Sequence, residues 1–279
     1  MKSDLKRLAI GLSGSYYDSM VMNSAMRLAQ ITSAMVDTYL IRPVPDDPQL
    51  LLASGFLGET FKTFFEQAEK TITAFDQTAR ATFDQSTQEF PQIPANYHNP
   101  LKDLSREFST AVWATDLAIL AHPSLVNLHY YKNAVLDAIA DSARPVLLLP
   151  EENKPADLSH ALFVWRDDTD HARALTAALP MLSLADRVTV ASRRSEEDNA
   201  TVSSVALQYL KAHGVQANDV AIDSDTSLTP KVIEKLCTEH QASLLVIGGG
   251  LQSDLIDSFV TGIERRASRK PNRAVLAIG

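Results

Sequence analysis

Unbroken apolar runs alternate with amphipathic stretches along the whole chain. The runs fall at Leu8–Leu12, Val36–Ile41, Asp116–Ala121 and Arg144–Pro150, then at Ala161–Trp165, Arg187–Ala191, Val220–Ile222, Ser243–Gly248 and Arg273–Ile278. Short continuous runs, β-branched in part and bounded by Pro or Gly, suit strands covered on both faces, as a parallel sheet requires. The stretches between them repeat every three to four residues: Val21, Ala25, Leu28 and Ala29 follow the first run, and Ala172, Leu175, Leu179 and Leu182 follow Ala161–Trp165. That spacing predicts helices with one buried stripe. A longer helix is expected over Glu59–Phe83, with Phe61, Phe64, Phe65 and Phe75 on one face as core. Its counterpart is Ala200–His213, stopped at Gly214. Third helices are expected over Lys102–Ala114 and Thr229–Glu239, the latter with Pro230 in its first turn, where proline is tolerated. Strands alternating with helices give an α/β sheet with right-handed crossovers.

The order repeats. Each half reads β-α-β-α-β-α-β-α-β, and each closes with an apolar strand, a helical stretch and a second apolar strand. The 279 residues suit two domains of ordinary size, expected at 1–152 and 153–279, with the charged, proline-containing segment Glu151–Pro155 as linker. The predicted fold class is two tandem doubly wound parallel-sheet domains, Rossmann-like. A hydrophobic content of 45% against 22% charged residues excludes a disordered or membrane-embedded chain, and no apolar stretch nears the roughly 20 residues of a bilayer span. The first residues lack a secretory pattern, so a cytoplasmic protein is expected. A net charge of -8 would repel a phosphate backbone. The one basic cluster, Arg265 to Lys270, reads as a solvated helix face. Cys237, the single cysteine, lies in the stripe Val232, Ile233, Leu236 and is expected to be a buried small hydrophobe.

Four stretches carry a family resemblance. Phe163–Leu182 with Ala185–Val190 is similar to the first strand, first helix and second strand of universal stress proteins, in the form where two such domains share one chain. Leu244–Ile278 resembles the family's fourth strand, phosphate loop, fourth helix and fifth strand. Leu8–Pro43 and Asp116–Pro150 carry a weaker likeness. The resemblance implies an adenine-nucleotide α-hydrolase-like fold and an internal pseudo-dimer, with Val146–Leu149 laid against Val275–Ile278, two apolar edges that would aggregate if bare. It also implies a stress-linked, non-enzymatic regulatory role, with an unknown protein partner or a further homodimer, and neither nucleic acid nor membrane as partner.

ATP-binding members carry Gly-x-x-Gly, nine residues, then Gly-Ser or Gly-Thr, because glycine lets backbone N–H groups approach phosphate at a helix N-terminus. Here Gly248 begins that spacing, Leu251 replaces the second glycine, and Thr261-Gly262 stands where Gly-Ser or Gly-Thr belongs. The motif is therefore expected to be degenerate and no cofactor is expected. The alternative is ATP or AMP in the second half, held by Gly248, Gly249, Gly250, Ser253, Thr261 and Gly262, with Val164 and Arg166 at the end of that half's first strand. The acidic residue that ends this strand in ATP-binding members is replaced by Arg166 here and by Ser13 in the first half, and Arg166 is expected to pair with Asp167, Asp168 or Asp170. No glycine occurs between Ala118 and Arg144, and His122-Pro123-Ser124 fills the first half's loop.

An ATP-using enzyme of a related fold is the remaining alternative. Ser13–Ser19 approaches the Ser-Gly-Gly-x-Asp-Ser loop of ATP pyrophosphatases but holds one extra residue, which is expected to turn Asp18 and Ser19 by about 100° away from the loop donors. Gly11–Ser15 lacks the closing glycine of a nucleophile elbow. The seven histidines show no paired metal-ligand spacing, and most are expected on the surface or at helix ends. No catalytic or metal site is predicted.

Overall fold

The computed structural model describes residues 4–42, 59–98, 104–126, 128–151, 157–193, 204–223, 226–249, 259–260 and 272–279, and only the backbone of 59–69 and 104–107. Ten strands form one sheet: β1 Arg7–Leu12, β2 Met35–Leu40, β3 Ala95–His98, β4 Leu117–Ala121, β5 Val146–Leu149, β6 His160–Trp165, β7 Arg187–Arg193, β8 Ala217–Ile222, β9 Leu244–Gly248 and β10 Ala274–Ile278. Their order across the sheet is β3-β2-β1-β4-β5-β10-β9-β6-β7-β8. Read outward from the middle, the two halves have the same order, and every neighbouring pair is parallel except β5 and β10. Those two run antiparallel, with Val275 opposite Leu148 and Ala277 opposite Val146. The expected α/β fold class of two doubly wound halves is what forms.

The central strands explain themselves by composition. Every residue of β4, β5, β6, β9 and β10 is buried, which only uninterrupted apolar runs allow when helices cover both faces. Eight helices join the strands among the described residues: α1 Asp18–Thr32, α2 Glu59–Glu89, α3 Leu104–Val112, α4 Pro123–Val126, α5 His129–Asp141, α6 Thr169–Leu182, α7 Ser204–Ala212 and α8 Pro230–Glu239. On α1 the expected stripe Val21, Ala25, Leu28 and Ala29 is buried. On α8 Ile233 and Cys237 are buried. Gly214 has φ of 78° just beyond α7, a left-handed turn that glycine adopts without a Cβ penalty.

Two local expectations need correction. Helix α2 runs on to Glu89 rather than ending at Phe83, because no glycine or proline interrupts the segment before Pro91. The stripe of α6 is turned: Ala172 is exposed, while His171, Ala174, Leu175, Ala178, Met181 and Leu182 are buried. The small face formed by Ala174 is where β9 comes closest, and a Cβ on Gly248 would collide with the Cβ of Ala174. The third strand of the first half, β3, shows no apolar run at all. It is held at the sheet edge by polar bonds, since buried Asp37 of β2 accepts from Arg7 Nε at 2.6 Å and Asn96 Nδ2 at 3.0 Å, and meets His98 Nε2 at 3.1 Å. Although burial opposes ionisation, these three partners keep the Asp37 carboxyl below its usual range.

Candidate functional site

In an open parallel sheet, ligands bind beyond the carboxyl ends of the strands where the strand order reverses. In the first half that place lies between β1 and β4. The turn leaving β1 is Ser13–Tyr17, and its backbone donors converge on one side chain. Asp18 Oδ1 accepts from Ser13 N and from Ser13 Oγ, both at 2.9 Å, and Asp18 Oδ2 accepts from Gly14 N at 2.7 Å. This corrects the expected rotation of Asp18 away from the loop. The extra residue is absorbed in the turn before α1 starts, so Asp18 is the first helical residue and its side chain reaches back rather than around.

Asp18 is 1% exposed. Burial pushes its carboxyl up to about 6, against the opposing pull of the Ser13, Gly14 and Ser15 groups. Burial, and then the neighbouring Asp18 charge, also raise the hydroxyls of Tyr130 and Tyr131. Gly14 has φ of 74°, and a Cβ there would lie 2.6 Å from the Cα of Phe75 on α2. The loop is thus closed over by helix α2.

The exit of β4 is equally occupied. Ser124 N donates to His122 Nδ1 at 3.2 Å, which leaves the ring hydrogen on Nε2, donated to the carbonyl of Phe259 at 2.6 Å. Burial holds this imidazole below its ordinary pKa, with the Phe259 carbonyl acting in the opposite sense. The short helix α4 opens at Pro123, which has no N–H to offer an anion. Phe259 belongs to the second half, 137 residues away in sequence, and no local pattern announces such a partner.

The second half is built differently at the matching place. Val164 is buried in β6, Arg166 is exposed just beyond its end, and the ion pair expected for Arg166 is not formed among the described residues. Its acidic neighbours are engaged elsewhere: Asp168 accepts from His171 N at 2.8 Å and meets His171 Nδ1 at 2.7 Å, while Asp170 pairs with Arg173. Asp168 is the N-cap of α6. Burial opposes its ionisation, but the His171 groups keep its carboxyl low. Gly248 ends β9 and Gly249 follows with φ of 118°, a conformation reserved for glycine. Gly250, Leu251, Ser253, Thr261, Gly262 and the Arg265–Lys270 cluster lie outside the described residues.

The histidines depart from expectation in part. His122, His160 and His171 are buried, each with a hydrogen-bond partner; His160 Nε2 meets Thr189 Oγ1 at 2.9 Å. Among the described residues no group of three His, Cys, Asp or Glu side chains is placed to hold a metal ion, and no helix is long and apolar enough to cross a membrane.

Neither a protein-family model nor a curated protein matches the sequence. Solved structures do match in shape. A universal stress protein from Archaeoglobus fulgidus superposes with a TM-score of 0.62 at 14% identity, over 98% of this chain and 95% of that one. The fold is that of the universal stress proteins. A putative universal stress protein from Pseudomonas aeruginosa follows with a TM-score of 0.57 at 13% identity, over 99% of this chain and 94% of that one. The cytoplasmic domain of a prokaryotic cation chloride cotransporter also superposes, with a TM-score of 0.52 at 12% identity, over 98% of this chain and 94% of that one. Identities this low speak for architecture alone.

Proposed function

We propose that the chain is a non-enzymatic regulatory protein of the cytoplasm, of the stress-response kind, whose first half has given up nucleotide. The observation that carries this reading is the Asp18 carboxylate seated on the N–H groups of Ser13 and Gly14. A phosphate would need those same donors, and it would meet a negative charge already there. The ionised form persists at neutral pH because its pKa lies at about 6. Among the described residues beside the turn no serine is paired with a histidine base: the Ser13 hydroxyl bonds to Asp18 and Ser15, and His122 is bonded to Ser124 and Phe259. Regulation would then pass through a protein partner or a second copy of the chain.

A second reading is adenine-nucleotide sensing by the second half, and one contrast favours it. There the carboxylate after the strand caps the helix instead of filling the loop, and Arg166 is exposed with Gly249 nearby in chain order after β9. Thermal denaturation with ATP, AMP and magnesium, run beside an assay for released phosphate, separates the two. A real ligand at a hundredfold its dissociation constant stabilises by about 2.7 kcal/mol. The first reading expects no shift and no release. A shift abolished by Arg166→Ala, without release, would move the function to nucleotide sensing, and release of phosphate would defeat the non-enzymatic reading.

A further inference from the structure

A cleft of about 320 Å³ lies across the junction of the halves, lined by the later part of α1, by β4 and β5, and by the segments preceding β6 and β7. It uses the end of α1 remote from Asp18. The strands contribute Ile119, Leu147 and Leu149, all fully or almost fully buried. Leu28 and Ile31 come from α1, and Leu158 and Leu184 from the other half. Ile31 is 71% exposed, an aliphatic side chain left beside an apolar hollow. The volume is within the range of small-molecule pockets, which are mostly apolar with a few polar groups that fix orientation.

Those polar groups are of opposite sign. Arg27 stands on the α1 side, where its Nε donates to Asn23 Oδ1, and Asp186 stands on the other half. Both are exposed, and neither takes part in an ion pair among the described residues. Ser24 and Ser159 add hydroxyls. A purely apolar ligand would leave both charges unanswered, and a simple carboxylic acid would satisfy Arg27 while facing Asp186. The ligand that answers all three features carries a carboxylate, an ammonium and an apolar body. We propose that this cleft between the halves binds a small zwitterion with an apolar body, of the size and kind of leucine or phenylalanine. Arg27 takes the carboxylate, Asp186 takes the ammonium, and the aliphatic lining takes the side chain.

The test is calorimetric titration of the full chain with L-leucine and L-phenylalanine, beside N-acetyl-leucine, leucinamide, 4-methylpentanoate and glycine. Saturable binding of leucine or phenylalanine is expected, weakened about tenfold or more by blocking either charged group or by removing the apolar body. Arg27→Ala and Asp186→Ala, both surface changes that leave folding intact, are each expected to weaken binding by a similar factor, and Ser24→Phe, by filling the cleft, to abolish it. The proposal is overturned if neither amino acid binds at about 10 mM, if 4-methylpentanoate binds as well as leucine, or if the two charge variants bind leucine unchanged.

Discussion

Two aspartates at corresponding turns, Asp18 after β1 and Asp168 after β6, do opposite things. Asp18 reaches backward and gathers the N–H groups of its own loop, whereas Asp168 reaches forward and caps the helix that follows. One position in the chain decides this. An aspartate that is the first helical residue sees the loop, and one that is the N-cap sees the helix donors. The difference teaches that two halves with the same strand order can give corresponding carboxylates different donors without altering a strand, by sliding the start of one helix relative to one carboxylate.

The largest expected effect is at Asp18. Asp18→Ala strands the Ser13 and Gly14 N–H groups in a buried turn and is expected to cost about 4 kcal/mol in urea denaturation. Asp168→Ala removes an ordinary cap and should cost about 1 kcal/mol. Equal losses would erase the contrast.

The two turns should also part company on titration. The folded-state pKa of Asp18 is raised from 3.8 to about 6, so the folded protein holds that proton more tightly than the unfolded chain. The associated stability is fully present below pH 3.8 and is lost as pH rises through about 6, roughly 3 kcal/mol in all. Asp37 and Asp168, whose carboxyls are lowered, contribute in the opposite sense, with stability present above pH 3.8 and lost as pH falls below it. Denaturation curves of wild type and Asp18→Asn between pH 3 and pH 8 isolate the Asp18 part: the stability difference between the two should shift by roughly 3 kcal/mol across the window from 3.8 to about 6 and be independent of pH on either side of it.

Gly14→Ala places a Cβ against the backbone of Phe75 at positive φ and is expected to cost about 3 kcal/mol. His122→Ala removes the bond to the Phe259 carbonyl and should cost about 2 kcal/mol, read as a lower thermal midpoint. If His122→Ala is silent, the first half's corner is not closed by the second.

The central strands and the stripe of α1 were readable because burial on both faces demands uninterrupted apolar sequence, and nothing but hydrophobicity selects those residues. Strand β3 was not, because Asn96 and His98 hold it through Asp37, a partner about sixty residues earlier. The small face of α6 eluded periodicity for another reason: Ala174 is chosen for close approach to Gly248 rather than for apolar bulk. At the site, Gly14 and the absence of glycine after β4 were plain in the sequence. The reach of Asp18 depended on the first residue of α1, and helix starts are the least determined part of any pattern. His171 was within reach, since Asp168 three residues before it forms a local capping unit, while His122 depends on a carbonyl more than a hundred residues distant.

The antiparallel pairing of β5 with β10 also limits how copies can associate. Each of these strands satisfies the other's hydrogen-bonding rim, so the chain has internalised the contact through which separate domains would otherwise meet. Among the described residues, the strands at the outer rims of the sheet are β3 and β8, nine spacings apart, roughly 43 Å. They differ in sequence, and β3 is only four residues long. Joining β3 of one molecule to β8 of the next is a head-to-tail contact that does not close on itself, and so short a rim gives it little to grip.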